Sequence, residues 1–287
     1  MGLFNSTPQG PIKEELAFEQ PWRTVNWSGR EDMIRKLKEF QATQGVNQLR
    51  ILVVGPTSSG KSSFIASIDS VLQGRITYLS FPLTNNPRGI RRHNFYNLRR
   101  DTDGSFLPFV LGDTMGLQED LSGMDTDYII NILHGRVQEG DTLNNLEGPN
   151  NETDDFNRIQ SLNDKVHCLV FVLSADKISE VSERIFYKLK LVLHQARELG
   201  IPQVVMMSKV DKACSLVSAD LKMIYKSKKI KAKMDECSSR LGVAVKYILP
   251  VKNYCEEMTL NVETDILILT AMTSILNFAT DFVQKEI

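Results

Sequence analysis

The chain has 287 residues, 42% hydrophobic and 24% charged, with 34 Lys+Arg balanced by 35 Asp+Glu; that is enough chain for one substantial α/β domain with an extension. The even charge balance argues against a general nucleic-acid binder and against a disordered polyelectrolyte. Four cysteines without paired C-x-x-C spacing suit neither a disulfide framework nor a zinc site.

The opening residues hold no basic segment followed by an apolar one, and no apolar run reads as the roughly 20 residues that cross a bilayer, so a cytoplasmic protein is expected. Residues 1–21 carry Pro8, Pro11 and Pro21 and little periodicity, which predicts a mobile or loosely docked arm. Residues 29–41 set Met33, Ile34, Leu37 and Phe40 on one stripe with Ser28 as cap, a leading helix whose contact with the body Trp22 and Trp27 would seal. Residues 1–47 thus precede a single domain, 48–287. Within it, apolar runs at 51–54, 107–111, 166–173, 203–207 and 245–249 lack polar alternation, the pattern of strands covered on both faces. A sixth strand is expected between 75 and 99. One helix is predicted over 178–199, with Ile178, Val181, Ile185, Leu189, Val192, Ala196 and Leu199 on one face and a stop at Gly200 and Pro202. Another covers 262–285 and is apolar on more than one side. The alternation predicts three layers: a mostly parallel six-stranded sheet with helices on both faces. A polar stretch rich in Asn, Gly and Asp, residues 135–163, interrupts the rhythm and reads as a solvated insertion.

Directly after the first strand comes Gly55-Pro56-Thr57-Ser58-Ser59-Gly60-Lys61-Ser62, a full G-x-x-x-x-G-K-S, and then a helical run. Glycines let amides turn inward around an anion, and the helix adds its positive end. Thr57, Ser58, Ser59, Gly60, Lys61, Ser62 and Ser63 are therefore the expected phosphate binders, Lys61 reaching the β and γ phosphates and the Ser62 hydroxyl ligating Mg²⁺. The next strand ends in Asp113-Thr114-Met115-Gly116, a D-x-x-G in which Asp113 would hold the Mg²⁺ hydration shell and the Gly116 amide would sense a γ-phosphate. A later strand ends in Ser208-Lys209-Val210-Asp211. The Asp211 carboxylate can accept both N–H groups of a guanine edge, and the Lys209 stem can cover the base plane, which selects GTP or GDP. Ser208 stands where Asn or Thr is usual and is expected to loosen the ties between this loop and the phosphate loop. Val251 and Lys252 follow the final strand and would offer a backbone N–H to the guanine O6.

With these residues assembled, the chain resembles the P-loop GTPases of the Ras-like fold, and more narrowly the interferon-induced protein 44 family. The narrower resemblance rests on Gly55 to Ser63, on Leu107-Pro108-Phe109 leading to Asp113 and Leu117, and on Val166-His167-Cys168; Lys209-Val210-Asp211 and Lys252-Asn253-Tyr254 with Glu256 complete it. It covers roughly residues 45–285. Some members carry an additional amino-terminal domain, and the segment before residue 45 is too short to be one. The resemblance implies a cytoplasmic guanine-nucleotide-binding protein linked to the interferon and antiviral response.

Hydrolysis is less plainly written. The residue after D-x-x-G, where small GTPases place a water-orienting Gln, is Leu117, and Gln118 is one position late and expected to point elsewhere. Ser58 and Thr57 are candidates for shielding the β–γ bridge. Residues 74–100 are expected to form the first switch, in which Thr84 or Thr77 completes the Mg²⁺ shell; Thr84 is preferred on its distance from Ser62. The catalytic set is thus Lys61, Ser58 and Thr84. Arg88, Arg91 and Arg92 follow as either an internal arginine finger or solvated loop residues. Two readings stand: a slow GTPase whose segments 74–100 and 113–125 reorder against a protein partner or a second copy, or an interaction module in immune signalling that binds nucleotide without turnover. Gly2 fits an M-G-x-x-x-S myristoylation pattern, the only expected route to a membrane. The lysines between 222 and 233 read as a solvated helix face, and the four histidines lack metal-ligand spacing.

Overall fold

The computed structural model describes residues 16–79, 93–100, 104–119, 125–137 and 161–287. Residues 138–160 of the insertion, the candidates Thr84, Arg88, Arg91 and Arg92, and Gly2 lie outside them. Six strands form one sheet, β1 (Leu49–Val54), β2 (Asn94–Arg99), β3 (Phe106–Asp113), β4 (Cys168–Ser174), β5 (Gln203–Ser208) and β6 (Ile248–Pro250), in the order β2-β3-β1-β4-β5-β6. All neighbours are parallel except β2, which runs antiparallel to β3 and shifts register between Asn97 and Arg99. Ile51 to Val54 in β1 and every residue of β4 are buried, as continuous apolar strands must be when both sheet faces are covered.

The main helices are α1 (Arg30–Lys38), α2 (Lys61–Gln73), α3 (Thr126–Leu133), α4 (Glu183–Glu198), α5 (Lys228–Leu241) and α6 (Val262–Glu286). α6 packs on β1, β4, α1 and α2, while α3, α4 and α5 pack in succession. Local chemistry fixes their starts. Asp125, Ser182, Ser227 and Asn261 each accept a backbone N–H from the first turn that follows. α6 is long and apolar enough to cross a membrane, contrary to the expectation that no such run exists. Its Ile266, Ile268, Met272, Ile275 and Ala279 are fully covered by the body, which makes it the central core helix.

Three further expectations are corrected. Ser28 does not cap α1; Gly29 holds that position without a side-chain bond, because Ser28 turns back to the Asn26 side chain. The run 245–249 is not one strand: residues Val245–Tyr247 form a 3-10 turn, and pairing with β5 starts only at Ile248. The described part of the leading arm is firmly docked, with Phe18 and Trp22 donating to the carbonyls of Lys226 and Tyr225 at 2.8 and 3.1 Å. Trp22 stacks edge-on against Tyr225, and Arg23 reaches the carbonyls of Val245 and Ile248.

Candidate functional site

The carboxyl ends of β1, β3 and β5 converge on the loop 55–60. Gly55 is obligatory, since a Cβ there would sit 2.2 Å from the Val172 carbonyl oxygen. Ser58 and Gly60 adopt φ of 60° and 101°, the left-handed region, which turns successive amides toward one side. α2 then begins at Lys61 with no side-chain cap and no acidic residue in its first turn, so its free amides and dipole face the loop unopposed.

Lys61 lies along the loop, 6% exposed, donating to the carbonyls of Gly55 and Pro56 at 3.2 and 2.9 Å. Burial pulls its pKa down to about 8 against the attraction of Asp113. Across from it, Asp113 accepts a short hydrogen bond from the Ser62 hydroxyl on Oδ2, while Oδ1 is buried without a hydrogen-bond partner. Burial raises the Asp113 pKa, opposed by Ser62, by Lys61 and by the Thr114 amide, which helps the charge without meeting hydrogen-bond geometry. A hydroxyl beside a carboxylate with a spare, desolvated oxygen fits a small hard cation that keeps most of its waters. Among the described residues no cluster of three or more His, Cys, Asp or Glu offers another metal site.

The D-x-x-G segment is clamped onto this loop. A Cβ on Gly116 would fall 2.4 Å from the Thr57 Cα, so only glycine allows the approach. Leu117 donates to the Gly55 carbonyl at 3.0 Å and accepts from the Thr57 amide at 3.2 Å; its side chain is 1% exposed. Strand alternation then throws the next side chain outward. Gln118 does not point elsewhere, as the sequence suggested: its amide donates to Thr57 Oγ1 at 3.3 Å, and its own carbonyl accepts from Lys188 of α4 at 2.5 Å.

The base-side loops are stitched to the same turn. Ser208, fully buried, donates to the Ser59 carbonyl at 2.5 Å, so this serine holds the tie that the sequence expected it to loosen. Lys209, itself at φ 54°, donates to the Ser58 carbonyl at 2.8 Å. Asn253 donates to the Gly60 carbonyl at 3.0 Å. Asp211 is half-buried and close enough to Lys252 for its charge to act on that ammonium. Lys252 pairs with Glu257 at 2.8 Å, and the Glu257 carboxylate, despite partial burial, is held at about pKa 2 by the Cys255 and Glu256 amides and by Lys252. Val251 is corrected: its amide donates to the Met207 carbonyl at 2.8 Å and its side chain is fully buried, so that amide is not free to meet a base. Thr77 is also corrected, because it is bonded to Ser70, eight residues or about 12 Å along α2 from Ser62.

Of the expected set, the structure gathers Thr57 to Ser63, Asp113, Gly116, Lys209, Asp211 and Lys252 at one end of the sheet. Sequence reasoning missed Asn253 and misdirected Gln118. The amide in the residues following β6 and the alternation after a buried Leu117 were the available signals.

No protein-family model matches the chain. Human interferon-induced protein 44 is 32% identical over 256 residues, a match that takes in 89% of this chain and 58% of that protein. Over most of its own length the chain is similar to interferon-induced protein 44. Human interferon-induced protein 44-like is 31% identical over 240 residues, 83% of this chain and 53% of that protein. The chain therefore spans between half and two thirds of the length of these curated interferon-induced relatives. Among solved structures, a dimerization-deficient mutant of Toc33 from Arabidopsis thaliana superposes with a TM-score of 0.50 at 13% identity, over 89% of this chain and 97% of that one. The chain shares the fold of that structure, here a mostly parallel six-stranded sheet covered by helices.

Proposed function

We propose that this protein binds Mg²⁺-complexed GTP and GDP and hydrolyses GTP slowly, acting as a conformational switch in the interferon-linked antiviral response. The observation that carries the reading is the buried, unpartnered Oδ1 of Asp113, whose other oxygen accepts from Ser62, beside the buried Lys61 ammonium. The two charges attract each other, yet Lys61 donates to backbone carbonyls rather than to Asp113, and a metal-chelated polyphosphate satisfies both groups.

The amides of residues 57–63 would hold the β-phosphate, and Lys61 would leave its carbonyl partners to bridge β and γ oxygens. Ser62 and Asp113 would hold Mg²⁺, which when bound neutralises charge on the leaving diphosphate. Asp211 would accept from the guanine N1–H and N2–H, with Lys209 across the base plane and the Lys252 amide at O6. Gln118, not Leu117, would orient the attacking water over the Thr57 turn. The O–P bond forms from that water, the bridge bond to GDP breaks, and the proton leaves with inorganic phosphate. Thr84 remains the proposed second hydroxyl ligand, after Ser62. The cytoplasm is the proposed setting, with partner or self-contact through segments 74–100 and 113–125 and membrane contact only through an acylated Gly2.

One observation favours the alternative, a nucleotide-binding interaction module without turnover: Leu117 is locked on both sides to the phosphate loop, which leaves that position no catalytic freedom. Single-turnover hydrolysis over a range of protein concentrations separates the two. Phosphate release above that of Lys61→Ala supports the switch; release equal to it at every concentration supports the module.

A further inference from the structure

The loop that follows β6 ends in a buried polar cluster that neither the phosphates nor the base would touch. Tyr254 is 8% exposed; its hydroxyl donates to Asp265 Oδ1 at 2.6 Å and accepts from the Asn261 amide at 2.7 Å. The Tyr254 amide donates to Ser67 Oγ at 2.9 Å, and Ser67 in turn donates to the Ser63 carbonyl of α2 at 2.6 Å. Asp265 is fully buried in the first turn of α6, and its second oxygen accepts from Arg30 Nε of α1 at 2.6 Å. Arg30 is the cation that an ion pair lends to this carboxylate, and it comes from outside the nucleotide-binding half of the chain.

A desolvated carboxylate is tolerated only while paired and hydrogen-bonded on all sides. Core packing alone would be served as well by an apolar trio, so the cluster's polarity needs a reason. Its position supplies one. Tyr254 follows Asn253, which holds Gly60, and Lys252, whose ammonium is set by Glu257; all three ride on one backbone. Fixing Tyr254 at both its amide and its hydroxyl fixes the direction in which the two preceding residues face.

Resting on the guanine-nucleotide reading above, we propose that Tyr254, Asp265 and Arg30 form a latch that positions the base-side loop, so that the docking of α1 is energetically coupled to recognition of the purine. These are positioning residues; none contacts nucleotide. Loss of the latch loosens grip on the base and the Asn253 tie to Gly60, while the phosphate loop keeps its shape through the remaining ties of Ser208, Lys209 and Leu117. Coupling is reciprocal, so a bound purine also tightens α1.

The test measures affinity for Mg²⁺-GDP and for inorganic tripolyphosphate on the whole chain and on Tyr254→Phe, Arg30→Met and Arg30→Lys. Expected are a loss of about tenfold in GDP affinity for the first two, equivalent to about 1.4 kcal/mol, unchanged tripolyphosphate affinity, and recovery in Arg30→Lys. Equal losses for both ligands would show a merely structural cluster and overturn the latch, as would unchanged GDP affinity. A wild-type protein that binds tripolyphosphate as tightly as GDP overturns the base-side reading itself. Amide exchange on the wild-type chain gives a readout independent of variant folding: GDP, but not tripolyphosphate, protects residues 30–38, and absence of that difference refutes the coupling.

Discussion

Asp113→Asn tests the site through stability rather than through activity. The Asp113 side chain holds one oxygen in a short bond from Ser62 and leaves the other buried without a partner. A buried polar atom left unsatisfied costs about 1–3 kcal/mol, more when charged. Against this, Asp113 helps to offset the buried Lys61, an attraction the variant forfeits. Burial is the largest influence on Asp113 and outweighs the Ser62 bond and the Lys61 charge together, so removing the negative charge should stabilise the ligand-free protein. A net gain of about 1 kcal/mol raises Tm by roughly 2–4 °C for a domain of this size. In the same variant the dependence of GDP affinity on Mg²⁺ should vanish, because the ligand that holds the hydration shell is lost. Thermal unfolding with chelator, with Mg²⁺ alone and with Mg²⁺-GDP reads both effects. A variant with lower Tm in chelator and full Mg²⁺ dependence would refute the reasoning, since Asp113 would then be a structural anion.

Lys61 gives a pH signature: its folded pKa of about 8 lies below the 10.5 of the unfolded chain, so the unfolded state binds more protons between those values and stability of the free protein rises with pH there. Chemical denaturation from pH 7 to 10 should show that rise and Lys61→Met should flatten it, while tripolyphosphate affinity of the wild type falls above pH 8. Asp211→Asn should shift preference from guanine toward xanthine nucleotide, because an amide donates where the carboxylate only accepts; unchanged GDP affinity by competition binding would remove Asp211 from the site. Gln118→Ala should slow single-turnover hydrolysis about 100-fold with GDP affinity unchanged, and an equal rate would leave the water to other groups.

The phosphate loop was legible because its constraints are local: Gly55 has no room for a Cβ against Val172, and the helix after Lys61 needs no distant partner. Five strands and the central helix were legible from apolar runs alone, although 245–249 misled, since Val245 and Tyr247 pack on the core from a 3-10 turn as readily as from a strand. What stayed hidden depends on contacts across the chain. The worth of Ser208 depends on the Ser59 carbonyl 149 residues away, and that of Asn253 on Gly60. Val251 looked like a base contact until pairing with β5 claimed its amide. Gln118 was misjudged by counting from the glycine, whereas its direction is set by Leu117 locking into the phosphate loop.

The most direct measurement is titration calorimetry of the purified, folded chain with GDP and with GTP analogue in Mg²⁺, alongside the adenine counterparts. Saturable heat at one site per chain for the guanine ligands, abolished in Lys61→Ala and absent for adenine, is the predicted result. Folded protein that gives no heat with either guanine nucleotide, or equal heat with adenine, would contradict the claim that these strand ends form a guanine-nucleotide site.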